Sequence, residues 1–273
     1  MTCRVLKVSR SGYYAWRARP PLSSRDLEDA YLANVISDVN VMNRGSYGAP
    51  RVHSKLCLAR GVRVGCKHVA RFMRWACVRG IGGSNKTRRG KRAPAVHDDL
   101  VLRQFIAHDP NRLWCTDITE HPTREGKVYC CAVLDVFSRQ IVQWSIADHV
   151  RSELVVDALQ MATWRRRPDD GTIVHRTGAV TSWVFSYRLR EAGLLGSMGR
   201  VASSVDNTMI ESFWSTMQRE LLDSRRWTSK DQLASAIFEW VDAWYNPRRR
   251  HTSLGMLSPV EFEALHTPAV SAA

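Results

Sequence analysis

Long apolar runs are missing from this chain. None of its 273 residues belongs to a stretch of about 18 apolar side chains, the length a membrane-spanning helix needs. The N-terminus M-T-C-R-V-L-K-V-S-R has no apolar core of the kind that marks a secretory signal, so the sequence predicts a cytosolic chain. There is also no C-x-x-C pair. The seven cysteines stand at 3, 57, 66, 77, 115, 130 and 131, an odd and unpaired set that argues against both a disulfide framework and a zinc ribbon. His53, Cys57, Cys66 and His68 come in the wrong order for a His-His-Cys-Cys zinc module. Acidic residues are few beside basic ones, 26 Asp and Glu against 40 Lys and Arg.

That imbalance is confined to one end. Residues 1–110 hold 21 Lys and Arg against 7 Asp and Glu, and the remaining 163 residues balance at 19 of each. A basic half joined to a neutral half is the pattern of a polyanion-binding module beside a catalytic domain, because phosphate contacts supply most non-specific affinity for nucleic acid. A hydrophobic content of 44% is enough for a sizeable core.

The basic half reads as helical. S-R-S-G-Y-Y-A-W-R ends at Pro20-Pro21; a longer amphipathic helix then opens at Ser24 as N-cap, with Leu27, Tyr31, Val35 and Ile36 on one face. After Y-G-A-P-R (47–51), two short helical patterns separated by a break at Gly61 read as a helix-turn-helix. On the second, Lys67, Arg71 and Arg74 recur at helical spacing opposite Val69, Phe72 and Met73, a stripe suited to the DNA backbone and equally to a solvated face. The stretch 84–95 carries Arg88, Arg89, Lys91 and Arg92 among Gly, Pro and Ser, which predicts a basic linker drawn to DNA. The boundaries predicted are a helical DNA-binding region over 1–83, a linker over 84–110, a catalytic core over 111–265 and a tail over 266–273.

The second half changes period. R-L-W-C-T-D-I-T, K-V-Y-C-C-A-V-L-D and Q-I-V-Q-W-S-I-A-D are β-branched and aromatic runs separated by turns, which predicts three antiparallel strands. Helices are predicted over 151–166, 181–192, 206–223 and 229–246, with short strands at 171–175 and 194–198. The fold class is therefore α/β, a mixed sheet flanked by helices, behind a small all-α domain. Asp117 falls inside the first strand, where a carboxylate is costly unless a cation compensates it. Glu211 lies about one turn into a helix, with Ser204 or Asp206 as caps and Trp214, Ser215 and Gln218 continuing its face.

The strings V-S-R-S-G-Y-Y-A-W (8–16), Y-G-A-P-R (47–51), W-C-T-D-I-T (114–119), V-L-D-V-F-S-R-Q-I-V (133–142), D-N-T-M-I-E-S-F-W (206–214) and Y-N-P-R-R-R-H-T-S-L-G-M-L-S-P-V-E-F (245–262) run nearly the length of the chain. Together they resemble the IS-three group of insertion-sequence transposases, within the retroviral-integrase-like DDE superfamily. The resemblance implies an RNase H-like integrase core that cleaves and joins DNA with Mg²⁺ or Mn²⁺. Asp117 and Glu211 would be catalytic and metal-binding acids. Hard divalent ions are held by charged oxygens set close together over the scissile phosphate.

The middle acid of that triad normally sits in a string similar to H-S-D-x-G-x-Q-Y-T-S. Here the place reads H-R-T-G-A-V-T-S, from His175 to Ser182, two residues shorter and with no carboxylate. Thr177 offers only a neutral oxygen. Asp169 and Asp170 precede the strand and fall at its wrong end, about 17 Å away at roughly 3.3 Å per residue. Gln218 stands where the family carries a Lys on the DNA end, with Arg219 beside it. Arg248, Arg249 and Arg250 are candidate phosphate contacts, although cations also suit a helix C-terminus. The expectation is a transposase with impaired catalysis; the alternative is a non-catalytic DNA-binding regulator. Its partners would be the element's ends and target DNA, further copies of itself, and a helix-turn-helix protein from an upstream reading frame.

Overall fold

The computed structural model of the chain describes residues 9–18, 23–81, 101, 105–149, 152–176, 183–198 and 208–266. They fall into two compact units, divided after Ile81.

The first unit is helical: α1 (Arg10–Arg17), α2 (Ser24–Met42), α3 (Ala49–Arg60) and α4 (Cys66–Trp75). The α2 cap is Ser23, one residue before the position the pattern suggests. Its hydroxyl accepts from the Asp26 amide while the Asp26 carboxylate accepts from the Ser23 amide, so the two orphan donors satisfy each other. Pro50 opens α3 and Gly61, at φ +64°, ends it. Val35, Ile36 and Val39 of α2, Val52 and Leu56 of α3, and Val69, Phe72 and Met73 of α4 are buried with Tyr47. Gly80 closes tightly on this unit: a Cβ there would lie 2.4 Å from the Gly48 amide nitrogen, so no larger residue fits.

The second unit is a five-stranded mixed sheet. β1 (Leu113–Thr123), β2 (Gly126–Asp135) and β3 (Ile141–Ala147) form the antiparallel meander that the sequence predicts. Then come α5 (Ser152–Arg166), β4 (Ile173–Arg176), α6 (Trp183–Glu191), β5 (Leu195–Met198), α7 (Thr208–Glu220), α8 (Lys230–Phe238) and α9 (Pro259–His266). The strand order is β3-β2-β1-β4-β5, with β4 and β5 parallel to β1.

Alternation along β1 divides its side chains between two layers. Trp114 and Ile118 turn to one face, packing with Cys131, Val133 and Val174 against Leu154, Val155, Ala158 and Leu159 of α5. Each such apolar side chain contributes about 1.5–3 kcal/mol on burial. The alternation sends Cys115 and Asp117 to the other face, and α7 packs against β1 through Ile210, Phe213 and Met217.

The predicted helix over 229–246 is not uniform. After Phe238 it widens into a π segment, Glu239–Tyr245, before a helical turn at Asn246–Arg248. The wider turns bury Trp240, Val241, Trp244 and Tyr245. Trp240 and Trp244 meet at 5.6 Å with their rings tilted, the core packing that their i, i+4 spacing implies, and Phe213 of α7 meets Tyr245 at 5.1 Å.

Two polar contacts lock this layer. The Asn246 amide donates to the Ile141 carbonyl and accepts from the Ile141 amide, both at 2.9 Å, which ties the end of the π segment to edge strand β3. The Arg249 guanidinium grips the Glu220 carboxylate at 2.8 and 3.0 Å, with both side chains almost wholly buried. Removing one member of a buried ion pair strands the other, so Arg249→Met should destabilise the protein by about 3–5 kcal/mol. Thermal unfolding followed by circular dichroism should show a melting temperature lower by about 10 °C. The double replacement Arg249→Met/Glu220→Leu should recover most of that loss.

Candidate active site

Asp117 is the fifth residue of β1 and is half-buried. Glu211 stands exposed in the first turn of α7, where the positive end of the helix dipole favours a carboxylate. The two acids are therefore carried by elements that pack directly on each other. The caps suggested for this helix, Ser204 and Asp206, lie outside the described residues.

The third place in the site is the end of β4. Its parallel register pairs Cys115 with His175 and Thr116 with Arg176. His175 is fully buried, its Nδ1 lies 3.1 Å from the Ser197 hydroxyl on β5, and Phe105 meets its ring edge-on at 5.1 Å. Arg176 is buried as well, and Asp117 acts on its charge. Thr177 lies outside the described residues. Asp169 and Asp170 precede β4, at the end away from Arg176, as the chain direction requires.

Cysteine thiols mark how dry this part of the sheet is. Burial pushes Cys131 up to about 12, with Thr116 and Arg176 opposing the rise and Asp117 adding to it. Cys115 is pushed higher still, by burial first and then by Asp135 and Asp117. Asp135 is fully buried but is a turn residue: it accepts from the amides of Asn111 (2.7 Å), Phe137 (2.9 Å) and Ser138 (3.1 Å), holding the β2–β3 hairpin. This gives V-L-D-V-F-S a structural reason for its acid.

Among the described residues, no three His, Cys, Asp or Glu side chains come together where a metal ion could be held. Two acids alone do not fit a pair of divalent cations, which need several anionic oxygens set close together. His53 and Cys57 do meet, at 3.5 Å, but His68 lies 2.9 Å from the Arg71 guanidinium, so the four residues weighed for zinc do not converge.

The basic candidates separate. Lys67, Arg71 and Arg74 are exposed on α4, opposite the buried Val69, Phe72 and Met73. Arg88, Arg89, Lys91 and Arg92 lie outside the described residues. On α7, Gln218 donates to Asp223 at 2.5 Å and Arg219 to the Ser215 hydroxyl at 2.7 Å. Arg248 is exposed, but Arg249 and Arg250 are not presented to a phosphate. Arg249 is taken up by Glu220, and Arg250 donates to the Met256 carbonyl at 2.6 Å and pairs with Glu261. Buried and held inside the fold, these two serve packing, a correction to their reading as backbone contacts.

A mixed sheet in the order β3-β2-β1-β4-β5, with one acid in its central strand and another on the helix covering it, defines an integrase-type RNase H-like core. Family comparison agrees: the integrase core domain matches residues 107–204 and, through a second model of the same description, residues 193–259. The chain is 34% identical to the transposase InsF for insertion sequence IS3A of Escherichia coli strain K12, over 96% of this chain and 92% of that one. It is 33% identical to an insertion element IS600 uncharacterized 31 kDa protein of Shigella sonnei, over 95% and 96%. A chain of the simian T-cell lymphotropic virus intasome matches at a TM-score of 0.48 and 11% identity, over 87% of this chain and 76% of that one. The protein belongs to the IS-three family of insertion-sequence transposases.

The burial of the sheet thiols is open to direct measurement. Iodoacetamide at mildly alkaline pH should label the exposed Cys66 and Cys77 of the native protein, while Cys115, Cys130 and Cys131 should react only after unfolding. Peptide mass spectrometry reads this out, and early labelling of Cys115 would contradict its place in β1.

Proposed function

We propose that this chain recognises DNA as a transposase does but performs the family's phosphodiester chemistry weakly or not at all. The observation that supports this reading is the run from His175 to Ser182, at the end of β4, which has no carboxylate where the resemblance calls for the middle acid. Asp117 and Glu211 keep their places on the strand and the helix. Mg²⁺ or Mn²⁺ would activate the attacking water or 3′-hydroxyl in an intact relative, but its donor set here is one acid short. A hydroxyl such as that of Thr177 does not restore the missing charge.

The N-terminal half would supply DNA affinity. Its basic surplus suits the phosphate backbone, and the exposed Lys67, Arg71 and Arg74 suit a helix laid against a groove. Double-stranded DNA, further copies of the chain and a helix-turn-helix protein from an upstream frame are the partners under this reading. A regulator that occupies the element's ends without cutting them would use the same surface.

Both arms can be measured on the full chain. With Mg²⁺ or Mn²⁺ and a labelled duplex carrying the element's terminal repeats, nicking should be indistinguishable between wild type and Asp117→Ala; Asp117-dependent nicking would defeat the inactivity reading. Replacing Lys67, Arg71 and Arg74 together with Ala should weaken binding and reduce the slope of log K against log salt by about 2–3, at roughly 0.9 per lost phosphate contact. If Asp117→Ala and Glu211→Ala leave that binding unchanged, the regulator reading gains.

A further inference from the structure

The structure divides the face of α2 that the sequence pattern groups together. Val35 and Ile36 are buried with Val39, whereas Leu27 and Tyr31 are 56% and 69% exposed. Near the other end of the same helix Val41 and Met42 are 74% and 64% exposed. Between these ends stand Asn34 and Asp38, exposed as well. Positions 27, 31, 34, 38 and 41 advance by steps of four and three, which on an α-helix makes one continuous stripe, the arrangement by which helices pair along a seam. Single apolar side chains on a surface need no explanation; a row of them in helical register, turned away from a finished core, does.

We propose that this stripe is a contact between two copies of the chain, their α2 helices running antiparallel about a twofold axis at Asn34. A twofold interface is self-complementary, so each residue must find its match on the same helix of the other copy. In this register Leu27 meets the second copy's Val41 and Met42, Tyr31 meets its Asp38, and Asn34 meets Asn34. Every pairing is chemically matched. The ends are apolar on apolar, the Tyr31 hydroxyl can donate to the Asp38 carboxylate, and an Asn amide both donates and accepts, so two of them satisfy each other. Arg60 lies 3.7 Å from the Met42 sulfur and so flanks the stripe at the end where the second copy's exposed Glu28 arrives. A parallel pairing would set Asp38 against Asp38 and leave Tyr31 without a carboxylate. This polar complementarity is what favours a second copy over any other occupant. The inference rests on the proposed function only in counting a further copy of the chain among its partners.

One helix pair is a small interface, so the dimer should be weak and form at micromolar concentration. Sedimentation of the full chain over a concentration series tests this in wild type, Leu27→Glu, Val41→Lys and the double variant. Each single change should raise the dissociation constant by about tenfold or more, because it sets a charge against an apolar side chain. The double variant should recover association, since the new carboxylate of one copy faces the new ammonium of the other. Within one chain those groups stand about 21 Å apart, at 1.5 Å per residue, too far to pair with each other. Under mild oxidation Asn34→Cys should give a dimer linked at position 34, read by peptide mass spectrometry. A wild type that stays monomeric, association indifferent to Leu27→Glu, or a double variant no better than the single ones would each overturn the proposal. These side chains are exposed, so circular dichroism melting should be unchanged. DNA binding is measured on the same samples: its loss in wild type would count against the transposase reading, whereas a monomer that binds DNA would sink the α2 pairing alone.

Discussion

The ion pair between Glu220 and Arg249 sets where α7 lies, and with it the place of Glu211. Glu220 is the last residue of α7; Arg249 follows the helical turn that ends the π segment. Neither side chain retains much contact with water. Charges so far withdrawn are tolerated only in good geometry, and the two-pronged contact supplies it. Asn246, three residues earlier, binds the Ile141 backbone through both ends of its amide. A continuous path therefore runs from edge strand β3 through Asn246, Arg249 and Glu220 into α7. It holds the first turn of that helix over a sheet whose central strand carries Asp117. The π segment belongs to the same device, because it lets Trp240 and Tyr245 meet Phe213 while Trp244 is buried against Trp240.

Much of this architecture was legible in the chain before any coordinates. The meander β1–β2–β3 declared itself through β-branched and aromatic runs divided by turns, and the burial of Trp240 and Trp244 through their spacing. Asp117 and Glu211 were legible as a strand acid and a helix acid. What escaped were features whose cause is distant in sequence. Three successive arginines read as a solvated cationic tail, yet the partner of Arg249 lies 29 residues earlier and no local pattern points to it. The π segment has no signature of its own; it follows from the demands of Asn246 and the aromatic cluster together. The burial of Arg176 is hidden for a similar reason, since an arginine at the end of a short strand ordinarily reaches water. Only its pairing with β1 shows it enclosed.

The basic residues divide by the same logic. On α4 the apolar triad Val69, Phe72 and Met73 anchors the helix to α2 and α3, so Lys67, Arg71 and Arg74 must point outward whatever they bind. Exposed charges of this kind cost the fold little and contribute little to its stability, because water and salt screen them. They are free to be selected for interaction with a polyanion. Arg249 and Arg250 are the reverse case: both are buried, Arg249 on the buried Glu220 and Arg250 on the more exposed Glu261, and their charge is spent inside the molecule.

The electrostatics of the sheet bear on how the fold carries its acids. An acid cluster built for divalent ions is a local burden on the empty protein, since like charges at close range oppose each other and burial penalises each one. With no carboxylate in the run from His175 to Ser182, that mutual repulsion is smaller. The apolar layers above and below the sheet are indifferent to the exchange, since Trp114, Val133, Val174 and the α5 face pack regardless of what occupies the site. Nothing in the folding energetics then requires that chemistry and architecture be lost together.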